Sequence, residues 1–104
     1  MSGRASRSKG ARMEASTVST LQAMGIKAQR VPLSGAAGGM FGGDVLAEIG
    51  GKTLRCECKV RGTGFGPIYA WLEGNDLLVI KRDRCEPLVV FPLKRFLEMT
   101  GQAP

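Results

Sequence analysis

The chain has no histidine, one tryptophan and one tyrosine. Without imidazole, His-activated serine or cysteine nucleophiles and the common His-metal nuclease sites are excluded. Any hydrolysis has to run on carboxylates, lysine and a metal. Cysteines number three, an odd count. Cys56 and Cys58 are neighbours on one strand face, poorly placed to bridge, and read as small buried hydrophobes. This points to a reducing, cytosolic setting. A Cys-x-Cys pair with no histidine is a poor zinc signal. The ~20-residue apolar run that a membrane span needs is absent, and the basic N-terminus has no signal-peptide core. Acidic residues are few, 9 against 15 basic, giving a net charge of +6 and a pI near 9.7. That balance favours a polyanionic partner.

What is present centres on Gly43 to Lys59. Two strands are expected there, joined by a tight turn at Gly50-Gly51. Alternation puts Val45, Ala47 and Ile49 on one face of the first strand and Asp44 on the other. On the second strand Leu54, Cys56, Cys58 and Val60 share the apolar face, and Arg55, Glu57, Lys59 and Arg61 the opposite one. Asp44 and Glu57 can therefore meet on one side of the ribbon, with Lys59 two residues beyond. Paired carboxylates suit a hard divalent cation such as Mg²⁺, and the Cys58 carbonyl offers a third oxygen.

Before this ribbon, residues 1–10 carry Arg4, Arg7 and Lys9 among Ser and Gly and read as a flexible basic arm. One domain over residues 11–100 follows. A helix is expected from about Ala11 to Met24, ended by Gly25. Glu14, Val18 and Leu21 share one face of it. A carboxylate on a packed face is costly without a partner or metal, unless Glu14 merely begins the helix under its dipole. Ile26 to Pro32 reads as a strand and Leu33 to Gly43 as a glycine-rich loop. That loop is no Walker loop, since no Gly-Lys-Ser/Thr follows. After a second loop at Gly62 to Gly66, Pro67 starts a helix to about Glu73. Its Tyr69 and Trp71 read as packing or subunit-contact residues rather than base-stacking platforms. Leu77 to Lys81 resembles a centrally buried strand. A basic turn, Lys81 to Arg84, a strand from Leu88 to Phe91 and a helix over about Leu93 to Met99 complete an α/β pattern with a mixed sheet.

With Glu14, Asp44, Glu57 and Lys59 in this order, the chain resembles the PD-(D/E)xK nuclease superfamily. Within it, the archaeal-type Holliday-junction resolvases and their phage relatives are most similar. The matching pieces are Ser8 to Glu14, Arg30 to Gly35, Gly43-Asp44-Val45 and Glu57-Cys58-Lys59. Gly43 stands where the superfamily's naming proline would be. Ala15 follows the helical glutamate where many members have arginine, which leaves Arg12 or Arg30 to meet the phosphate. The resemblance implies a restriction-endonuclease-like α/β core, with a central mixed five-stranded sheet flanked by helices. It implies that Asp44 and Glu57 hold Mg²⁺, with Mn²⁺ substituting, and that Glu14 joins directly or through water. Lys59 would orient the attacking water and stabilise developing charge, and Ser34 would touch the scissile phosphate. The substrate would be a four-way DNA junction, in the cytoplasm (the host's, if phage-encoded).

Resolving such a junction takes two symmetry-related cuts, so a homodimer is expected. Arg4, Arg7, Lys9, Arg12, Arg55 and Arg61 are candidate backbone contacts. Phe41, Trp71 and Phe96 are candidates for the subunit contact. Two alternatives remain open at this point. One is a nuclease of the same fold acting on other branched or nicked DNA; the other is a non-catalytic nucleic-acid-binding module.

Overall fold

The computed structural model describes residues 3–31 and 44–101, with side chains from residue 8 onward. Helix α1 spans Gly3–Ala23. It starts well before Ala11, so residues 3–10 of the stretch read as a basic arm form its first turns. Arg, Ala and Lys are good helix formers and outweigh the interspersed Ser and Gly. At its other end Gly25 takes φ 81°. The Gly25 N–H donates to the Gln22 carbonyl at 3.0 Å, and the Ile26 N–H to the Leu21 carbonyl at 3.1 Å. These are the paired bonds of a Schellman closure, sealed by contact between Leu21 and Ile26.

Strands β1 (Ala28–Arg30), β2 (Val45–Ile49) and β3 (Lys52–Cys56) form an antiparallel sheet in the order β1-β2-β3. Gly50 and Gly51, at φ 62° and 78°, make the two-residue turn between β2 and β3. This sets the register Ile49↔Lys52 through Val45↔Cys56. Two successive left-handed positions are what glycine pairs permit and side chains resist. On the central strand, Val45 and Ala47 point inward and are buried; Glu48 points out. Leu54, expected on the apolar face, is 39% exposed because β3 is an edge strand with little covering it.

Helix α2 (Gly66–Leu72) opens with Pro67, and helix α3 (Leu93–Met99) follows Pro92. The core gathers Leu21, Ile26, Val45, Ala47 and Leu97, with Phe96 packed beside it. Leu97 is fully buried. Leu97→Ala removes transfer energy and leaves a cavity, so it should cost about 2–5 kcal/mol, read as a lowered urea midpoint with unchanged slope. An unshifted midpoint would mean that this packing is not the protein's core.

The expectation of one mixed five-stranded sheet is corrected here. Strands β4 (Leu78–Ile80) and β5 (Leu88–Val90) pair only with each other, and every strand pairing among the described residues is antiparallel. Nor is β4 fully buried: its Val79 is 59% exposed, and on β5 Leu88 and Val89 are more than half exposed. Among the described residues α2 packs against β4, yet Val79 on the apolar run stays uncovered. No helix among the described residues is long and apolar enough to cross a membrane.

Candidate active site

The N-terminal half of α1, the start of β2 and the segment after β3 line an open cleft of about 500 Å³. From α1 come Lys9, Arg12 and Glu14; from the β2 start, Asp44; from the segment after β3, Cys58, Lys59 and Arg61. The cleft thus has carboxylates on its walls and cations around them.

Asp44 is held by the sheet. Its N–H donates to the Cys56 carbonyl at 2.7 Å, and its carbonyl accepts from the Val31 N–H at 3.0 Å. Beyond Cys56 the ladder ends, because the next donor, the Cys58 N–H, goes to Asp44 Oδ2 at 2.8 Å. The carboxylate is therefore aimed by backbone, and among the described residues its Oδ1 receives no hydrogen bond.

Glu14 sits mid-helix, and the first turn of α1 holds no acidic residue. Its helix-starting reading therefore gives way to the one that needs a partner. The partner is Arg30, whose Nε donates to Oε1 at 3.0 Å and whose Nη2 lies 2.9 Å from the same oxygen. One turn further along α1, Thr17 accepts a long hydrogen bond from the Cys58 thiol at 3.8 Å and donates to the Met13 carbonyl at 2.8 Å. This joins the helix carrying Glu14 to the segment that clamps Asp44. Thr17 is not among the site residues expected from the sequence; its place one turn from Glu14 was the available signal.

Glu57 and Lys59 lie on the same side, as alternation requires, and pair at 2.9 Å with both side chains about half exposed. Lys59 lines the cleft, whereas Glu57 stands outside its lining, turned to the lysine. The hydrogen bond and charge of Glu57, helped by Asp44, hold the Lys59 ammonium protonated, above the ordinary lysine value of 10.5. Burial pushes the Cys56 thiol up. Burial does the same to Cys58, reinforced by the negative charges of Asp44 and Glu14 against a lowering bond from Thr17. Both thiols therefore stay neutral, unlike the thiolates that bind zinc.

Of the cations named from sequence, Lys9, Arg12 and Arg61 line the cleft, Arg30 clasps Glu14, and Arg55 lies on β3 away from it. Ser34 and Phe41 fall outside the described residues, as do the side chains of Arg4 and Arg7. Phe96 packs on the core and so is spent; Trp71 is 60% exposed.

The donors facing the cleft are hard oxygens from Asp44 and Glu14, with Glu57 beside Lys59. They suit a hard divalent cation that keeps several of its waters. They are no closed cage: among the described residues, no three His, Cys, Asp or Glu side chains gather into a metal-holding group.

The family model for archaeal Holliday junction resolvase (hjc) matches residues 5–100. That span runs from the first turns of α1 through α3 and includes every wall of the cleft. No curated protein and no solved structure matches the chain significantly.

Proposed function

The chain belongs to the archaeal Holliday junction resolvase family, and from that premise we propose that its cleft is the active site of a divalent-metal-dependent endonuclease acting on four-way DNA junctions. One observation supports this above the rest: Glu14, Asp44 and Lys59, distant in sequence, share a cleft edged by Lys9, Arg12 and Arg61. Carboxylates alone would repel DNA; carboxylates ringed by cations can bind a phosphate once the acidic centre is neutralised.

Asp44, Glu14 and Glu57 are the residues that would hold Mg²⁺ or Mn²⁺. When bound, such an ion lowers the pKa of water and offsets charge on the phosphate. Lys9, Arg12 and Arg61 hold the DNA backbone by charge and read branch shape rather than base sequence. Lys59 is a fixed cation, kept protonated by Glu57; it orients the attacking water and stabilises charge developing on the phosphate oxygens. The Cys58 N–H fixes the Asp44 carboxylate throughout.

A panel of four-way junction, flap, nicked and plain duplex DNA with Mg²⁺ tests the substrate. Paired nicks in the junction and little cutting of plain duplex are expected. Equal cutting of duplex would reject junction selectivity. Binding to every member with no product would favour a module without catalysis.

Paired cutting needs two sites, so the protein acts as a two-fold dimer. Support for the contact lies on the β4–β5 ribbon, where Val79 and Val89 pair cross-strand and are 59% and 54% exposed. A two-stranded ribbon is marginal alone in water, and these strands carry no charge to solvate them. Val79→Glu would place a charge in that contact. Sedimentation should then shift from dimer to monomer mass, and paired nicks should become sparse single ones. An unaltered dimer would move the contact elsewhere.

A further inference from the structure

The Arg30–Glu14 pair is more than a structural ion pair. The Glu14 side chain is only 16% exposed, whereas Arg30 is 51% exposed and sets both Nε and Nη2 against a single oxygen, Oε1. Guanidinium has five N–H groups, and among the described residues the others meet no protein acceptor. Arg30 ends β1 opposite Val45, and the next residue, Val31, bonds to Asp44. The clasp is therefore anchored beside both acidic residues of the cleft.

We propose that Arg30 is a placeholder cation: it neutralises Glu14 while the cleft is free of DNA and transfers to a backbone phosphate when DNA arrives, which frees Glu14 for the divalent ion. This inference rests on the metal-dependent reading above. The physical ground is charge balance. A shielded carboxylate needs a counter-charge when no ion is present. A divalent cation arriving alone must share Glu14 with a guanidinium or displace it unpaired into solvent. Arriving with DNA, it meets a Glu14 whose arginine has gained a phosphate, a partner that guanidinium matches in fork geometry. The exchange conserves paired charges: one ion pair and one metal–phosphate encounter become a carboxylate–metal and an arginine–phosphate contact. Metal and DNA binding are then coupled, and each tightens the other by the same factor.

The test uses the full chain without DNA. Mn²⁺ binding is followed by electron paramagnetic resonance for wild type, Arg30→Gln, Arg30→Lys and Asp44→Asn, with thermal unfolding to confirm that each is folded. Junction binding is measured separately in EDTA. Arg30→Gln should bind Mn²⁺ about 5-fold or more tighter than wild type, the lower end of common coupling, yet bind the junction more weakly. Arg30→Lys, which keeps the charge, should stay near wild type for Mn²⁺. Unchanged or weaker Mn²⁺ binding in Arg30→Gln, with wild type binding and Asp44→Asn not, would overturn the exchange and leave the metal reading standing. Absence of Mn²⁺ binding in every variant, Arg30→Gln included, would remove both.

Discussion

Asp44→Asn should lower junction cleavage by about 10³-fold or more, exceeding the roughly 10–100-fold loss typical of groups that merely support a metal ligand. The amide keeps the size of the carboxylate, and its oxygen can still accept the Cys58 N–H that Asp44 Oδ2 receives at 2.8 Å. The β2 start should therefore stay in place and the unfolding temperature should barely move. What changes is charge. A neutral amide holds a hard cation poorly and repels phosphate less. Junction binding measured in EDTA should be equal or slightly tighter while cleavage disappears. Undiminished cutting by this variant would show that Asp44 has no part in the chemistry.

Lys59→Met should reduce the cleavage rate by about 10²–10³-fold, the scale seen when one preorganised donor to developing charge is removed. Lys59→Arg should recover part of it, because a fixed cation is restored with different reach. The same electrostatics constrain the pH profile. Glu57 raises the Lys59 pKa above 10.5, so the ammonium persists below that value and is lost only as pH rises through it. No limb of the rate profile in the neutral range should belong to Lys59. A rise in rate near neutrality that Lys59→Arg shifts would instead make it a base. Because the Lys59 side chain is exposed, this pairing serves chemistry and contributes little to stability.

The local features of the chain were legible because local rules govern them. Gly50-Gly51 sets its hairpin, Gly25 its helix end and Pro67 its helix start, each through backbone conformations few other residues accept. The order Glu14, Asp44, Glu57, Lys59 was legible as a candidate site through the family resemblance it carries, and the fold brings Glu14, Asp44 and Lys59 to one cleft. Long-range choices were not. Nothing near Arg30 in sequence says that it will grip Glu14 rather than face solvent, and alternation alone cannot say whether Glu57 turns to the cleft or to Lys59. The β4 and β5 strands expose the same limit. Their apolar composition records that they are to be covered, not by what, and among the described residues they pair only with each other.

The central claim is that acidic oxygens on the walls of this cleft work through a bound hard cation. Wild-type protein incubated with a four-way junction in Mg²⁺, and in parallel in EDTA, tests it most directly. The account predicts paired symmetric nicks with Mg²⁺ and intact DNA with EDTA. Equal cleavage in both would contradict it.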